Sequence, residues 1–142
     1  MYGQDRNQIR QVYCNAWQKF SKKEPLEALE QQLVDIIRLH PEYHSLLDNP
    51  DKAMEKDYLP EAGETNPFLH MGLHMAIHEQ LATDRPAGIR SAYQQLLSQY
   101  KDSHELEHKV MECLAEMIWQ AQKTGGTADE NRYLQCIRKL TQ

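Results

Sequence analysis

Apolar residues recur at every third or fourth position along nearly the whole chain, and strict apolar–polar alternation over four or more residues is almost absent. Side chains three or four apart share one face of an α-helix, whereas a strand needs a period of two. The expected fold is therefore all-α, a compact bundle of five or six helices. At 142 residues the chain has the length of a single domain, and folding at that size buries roughly 68–70% of the surface an unfolded chain exposes.

The pattern places a first helix over residues 5–20, with Ile9, Val12, Tyr13, Ala16 and Phe20 as its apolar stripe. A second starts at Pro25, carries Leu26, Leu29, Leu33, Ile36 and Ile37, and stops near His40 because Pro41 follows. Residues 42–47 add a short helical turn. Residues 48–65, "DNPDKAMEKDYLPEAGET", carry no sustained period and read as one irregular loop. Asn66 before Pro67 then opens a helix to about Leu81, Asn as the cap and Pro at the first position.

After Thr83, Asp84 and Pro86, a further helix shows Ile89, Tyr93, Leu96, Leu97 and Tyr100 on one side. Asp102 with Glu105 resembles a capping box and opens the longest helix, which ends at Gly125 and Gly126. Thr127 with Glu130 repeats the device for a last helix through Leu140.

All seven histidines fall in sets spaced by four: His40 and His44; His70, His74 and His78; His104 and His108. Random placement would give roughly 0.3 such pairs against the four present. Residues i and i+4 on a helix face the same way, so two imidazoles at this spacing can aim at one ion. Pro41 interrupts the helix that would align His40 with His44, so that pair is set aside. On the helix after Asn66, taking His70 as zero, His74 stands at about 40°, His78 at about 80° and Glu79 at about 180°. His70 and His74 therefore border the apolar stripe, His78 begins to leave it, and Glu79 points away.

The later segment "HELEHKVME" puts His104, His108 and Glu112 at about 0°, 40° and 80°. The main apolar arc of that helix, Leu106, Val110, Leu114 and Met117, centres near 240°, which counts against a buried site there. Ala115 and Trp119 flank His108 and offer a second seam. If the helices beginning at Asn66 and Asp102 pack together, His70, His74, His104, His108 and Glu112 form a candidate ligand set for a divalent transition metal. Such a mixed set suits zinc, iron, nickel or manganese. The bland alternative, histidines that merely pack or cap, accounts for the same spacing.

Neither H-E-x-x-H nor the Glu-x-x-His step of di-iron bundles is present, and there is no phosphate-binding loop, dinucleotide fingerprint or nucleophile elbow. Trp17 and Trp119 read as packing anchors. Met71, Met75, Met111 and Met117 read as core filler and Cys113 as a buried inert thiol. Whether the chain is an enzyme does not follow from its residues. Two functional classes stand: a metal-binding helical protein, a hydrolase or oxidoreductase, or a non-enzymatic interaction module or homo-oligomer anchored by Trp119, Tyr93 and Tyr100.

The segments "NPFLHMGLHMAIHEQLATDRPAGI" and "HKVMECLAEMIWQAQ" resemble a bacterial family described as domain of unknown function 1841. The resemblance covers most of the chain and is strongest over residues 58–122. It implies a small helical protein of the bacterial cytosol and transfers no functional residues. The family pattern matches His70, His74 and His108, whereas position 78 need not be histidine.

A net charge of −5 disfavours nucleic acid as a partner, because affinity for phosphate backbones comes from clustered Lys and Arg. No apolar run reaches the 18 or so residues a membrane span needs. The first ten residues lack the apolar stretch of a secretory signal, so the expectation is a chain that begins here. Cys14, Cys113 and Cys136, odd in number and far apart, argue against a disulfide framework and for a reducing, cytoplasmic setting.

Overall fold

Asn or Asp side chains open four of the described helices, and glycine or arginine closes several of them. In the computed structural model, which describes residues 2–58 and 66–141, Asn66 Oδ1 accepts from the backbone N–H groups of Phe68 at 2.9 Å and Leu69 at 3.3 Å. Asp102 accepts from His104 N at 2.9 Å, and Asp129 from Arg132 N at 3.1 Å. Each satisfies a donor that the first turn of a helix leaves without a partner. The last helix is thus capped by Asp129, not by the expected Thr127. Gly125 ends the longest helix with φ +67°, the left-handed turn that glycine tolerates best.

The elements are α1 (Tyr2–Ser21), α2 (Ala28–Arg38), a 3-10 turn (Pro41–Tyr43), α3 (His44–Leu47), α4 (Pro50–Glu55), α5 (Pro67–Thr83), α6 (Ile89–Leu97), α7 (Ser103–Thr124) and α8 (Glu130–Arg138). The described residues are all-helical and hold no strand. Eight helices among the described residues replace the expected five or six, because α3 and α4 have only four and six residues and are too short to show a period. α4 lies inside the stretch expected to be an irregular loop. It begins with Asn49 and Pro50, the same Asn-Pro start as α5, and Asn49 Oδ1 accepts from Lys52 N. Residues 59–65 of that stretch lie outside the described residues. None of the helices is long and apolar enough to cross a membrane among the described residues.

The chain divides into two compact units, Met1–Met75 and Ala76–Gln142. In the first, Tyr13, Cys14, Ala16 and Trp17 of α1 pack with Leu33, Val34, Ile36 and Ile37 of α2, and Leu47, Ala53, Phe68 and Met71 complete the core. The expected α1 stripe is corrected here: Ile9 and Val12 are exposed, and Arg10 is buried instead. A guanidinium can occupy an interior only if its donors are met. Arg10 Nη1 donates to the carbonyls of Ala53 at 2.9 Å and Lys56 at 2.8 Å, the ends of α4 that have no intrahelical donor. Its cation also sits over the Phe68 ring, 4.9 Å from the centroid. In α2, Pro25 and Leu26 precede the helix, which starts only at Ala28, and Leu29 is exposed.

In the second unit α6 buries Ile89, Ala92, Tyr93 and Leu96, α7 buries Leu106, Val110, Met111, Cys113 and Leu114, and α8 buries Tyr133, Leu134 and Ile137. Arg90 closes α5 as Arg10 closes α4, with Nε to Leu81 O at 3.0 Å and a terminal nitrogen to Ala82 O at 2.9 Å. The Tyr133 hydroxyl donates to Gln80 Oε1 at 2.6 Å, and that of Tyr100 to Leu140 O at 2.7 Å.

Cys113 and Cys136 are joined by a disulfide, with Cα atoms 5.8 Å apart. Neither the expected absence of disulfides nor the inert Cys113 thiol holds, and the cysteines therefore lend no support to a reducing setting. The bond depends on α7 lying beside α8, which residue spacing cannot reveal. Cys14 is the free, buried cysteine, and burial raises its thiol pKa while the Arg10 charge partly opposes the rise.

The Arg10 contacts make a direct test of the first core. Arg10→Met keeps the stem and removes the donors, and should lower unfolding free energy by about 2–3 kcal/mol in urea titrations, against little change for exposed Lys22→Met. A loss no larger than that of the control would show that the α4 carbonyls do not need the guanidinium.

Candidate metal centre

Three imidazoles gather in the first unit. α5 carries His70 and His74 one turn apart, and the chain leaving α2 delivers His40 beside them. Ring centroids stand 4.9 Å apart for His70 and His74, 5.0 Å for His40 and His70, and 4.8 Å for His40 and His74. His74 is fully buried, His40 is 3% exposed, and His70 is half-buried. The expectation that His70 and His74 border the interior holds in this unit.

Nε2 of His70 and Nε2 of His74 are 3.2 Å apart. Two neutral imidazoles at that distance share one proton, one ring donating and the other accepting. A cation can take the place of that proton. Nitrogens held at roughly 2.0–2.1 Å from a tetrahedral ion stand about 3.3 Å apart, so the spacing fits two ligands of one metal.

His40 has the second feature of a ligand. Its Nδ1 lies 2.8 Å from the carbonyl oxygen of Ile36, an acceptor only, so Nδ1 carries the proton and the neutral ring keeps its lone pair on Nε2. Metal-bound histidines are commonly oriented this way, one nitrogen tied to a carbonyl and the other toward the ion. His44 is turned elsewhere: its Nε2 meets Ile37 O at 2.9 Å and its ring packs 4.4 Å from that of Trp17. The sequence reading set His40 aside because Pro41 would break a shared helix. α2 has already ended at Arg38, however, and His40 and Pro41 begin the 3-10 turn. The four-residue spacing to His44 was irrelevant, since the neighbours of His40 come from α5.

In the second unit His104 and His108 meet edge-on one turn apart on α7, centroids 4.2 Å apart and both half-buried. Glu112, a turn further on, is exposed. Ala115 and Trp119 are exposed as well, so Trp119 is not the expected packing anchor. Tyr93, expected at an interaction surface, is buried. His78 leaves the apolar face as its helical angle required, and its Nε2 lies 2.8 Å from Oε1 of Glu107. Glu107 escaped the sequence reading because a lone glutamate among apolar neighbours carries no spacing signal. It is one of four buried polar or charged residues among those described, with Arg10, His40 and His74.

A model of the family described as domain of unknown function (DUF1841) matches residues 5–139. The chain belongs to this family. No curated protein and no solved structure matches the chain. The family carries no assigned activity from which a residue's role could be transferred, so the histidines rest on their geometry.

Burial also holds tyrosines neutral. Tyr13 in the first unit is pushed up to about 12 by burial, and Tyr93 in the second to about 12 by burial and then by the Glu107 charge. Their unfolded values are near 10, so the folded state holds more protons between pH 10 and 12 and stability must fall as pH rises through that window. Tyr13→Phe and Tyr93→Phe should each make the fall shallower in guanidinium titrations at pH 9 to 12. Slopes unchanged in both variants would mean that these hydroxyls do not resist ionisation.

Proposed function

We propose that this protein binds a divalent transition metal through histidine side chains. The observation that carries the reading is the 3.2 Å separation of the His70 and His74 nitrogens, which a tetrahedral ion would span. His40, with its lone pair directed by the Ile36 carbonyl, supports it. In the first unit the proposed ligands are His40, His70 and His74; in the second, His104 and His108 make a further imidazole pair one turn apart, with Glu112 a turn beyond them. Imidazole donors favour zinc, nickel or iron over magnesium or calcium, and manganese remains the least suited of the candidates. A hydrolase or oxidoreductase role requires a coordination position left open to water or substrate. The family resemblance supports a bacterial cytosolic setting.

Untagged protein, loaded with zinc and dialysed, should retain metal by elemental analysis at neutral pH. Retention should fall as pH drops through about 6.5, where free imidazoles protonate. His74→Ala and His40→Ala should weaken binding by more than the roughly 10–100-fold that loss of an outer-shell partner costs. His104→Ala/His108→Ala tests the second unit's share, and Glu112→Ala should have the smallest effect. Equal metal content in wild type and all variants would reject the reading.

A second reading, self-association, is favoured by Ile118 and Trp119 of α7, which expose 39% and 52% of their surface. Sedimentation velocity should then show a larger species that Trp119→Ala converts to monomer; a monomeric wild type at all concentrations would remove it.

A further inference from the structure

The Cys113–Cys136 disulfide does more than staple α7 to α8. Both cysteines line a cavity of about 420 Å³ in the groove between these helices, within the size range of small-molecule sites. Cys113 is 3% exposed, whereas Cys136 is only partly buried. Arg132 and Lys139 line the same cavity. Four residues before and three after Cys136, they share its face of α8. Glu116, three residues after Cys113 on α7, and Asp129, two turns before Cys136, also line it, so the basic pair is balanced overall but stands nearest Cys136 along α8.

We propose that Cys113–Cys136 is an exchangeable disulfide, reduced and re-formed by a low-molecular-weight thiol with carboxylate groups that enters this cavity. A thiolate in the cavity attacks Sγ of Cys136, the more exposed of the two residues. The new S–S bond forms there, the Cys113–Cys136 bond breaks, and Cys113 leaves as a thiolate that takes a proton. A second molecule of the thiol attacks the mixed disulfide and releases Cys136, so two thiols supply two electrons and depart as their disulfide. Arg132 and Lys139 attract the anionic co-reactant and favour the thiolate of Cys136. In the reverse direction Cys113 is the resolving thiol, so the mixed disulfide on Cys136 is short-lived in the intact protein.

That asymmetry supplies the test, which does not depend on metal binding. Native wild type should yield two additional iodoacetamide-reactive thiols after treatment with reduced glutathione and no denaturant, while Cys14 stays unlabelled. With glutathione disulfide as the probe, Cys113→Ser should accumulate one glutathione adduct on Cys136 by intact mass, at least about tenfold faster than Cys136→Ser gains one on buried Cys113. Arg132→Ala/Lys139→Ala should slow the first reaction severalfold. A wild-type disulfide that resists glutathione until denaturant is added would overturn the proposal, as would equal labelling of the two serine variants or three free thiols after oxidation. The wild-type experiment stands even if a serine variant fails to fold.

Discussion

An imidazole sealed from water has to find partners for its nitrogens inside the protein, and His74 is sealed completely. Much of the local order around the first unit's histidines follows from that need. His70, one turn earlier on α5, brings its Nε2 to that of His74. His40 arrives from the end of α2 with its own proton already committed to Ile36 O. The rings meet at steep angles, 76° between His70 and His74 and 60° between His40 and His74. In the His70–His74 pair this edge-on meeting brings the two Nε2 atoms together, which flat stacking would not do.

The helices were legible in the sequence wherever a long apolar period coincided with a cap. α5 and α7 begin within a residue or so of where Asn66–Pro67 and Asp102 place them, and α7 ends at Gly125 as its glycines demand. α4 was missed although Asn49–Pro50 is the same start signal, because no apolar period of useful length follows it. The site was legible in part. Helical angles put His70 and His74 at the interior and sent His78 out of it, which is local geometry. His40 was lost because its neighbours are set by how α2 ends and where α5 passes, and neither is written in a four-residue spacing. The disulfide was lost for the same reason: Cys113 and Cys136 are 23 residues apart, and only the packing of α7 with α8 makes them neighbours.

Buried polar groups mark where periodicity misleads. On α1 the apolar pattern points toward Ile9 and Val12, yet Arg10 takes the interior position and the two aliphatic residues stay in water. Leaving an apolar side chain exposed forfeits about 1.5–3 kcal/mol of possible burial. A buried guanidinium offsets such a loss only by satisfying groups that would otherwise be stranded. The terminal carbonyls of a six-residue helix are such groups. α4 is too short to be stable alone, so Arg10 fixes the segment as much as it caps it. Arg90 does similar work at the end of α5, from a solvent-exposed position where screening makes each bond weaker.

The histidines cannot be explained in the same way, because a neutral imidazole brings no charge to a helix end and a leucine would fill the space at less desolvation cost. A donor set made only of neutral imidazoles would leave the double charge of a bound ion uncancelled in a poorly solvated place. That charge calls for an anion, supplied by a carboxylate or by a bound water that loses its proton, and three-imidazole zinc sites bring the pKa of such a water down to about 7. A closed set of protein ligands would make the proposed ion structural, whereas a position left to water would let it react.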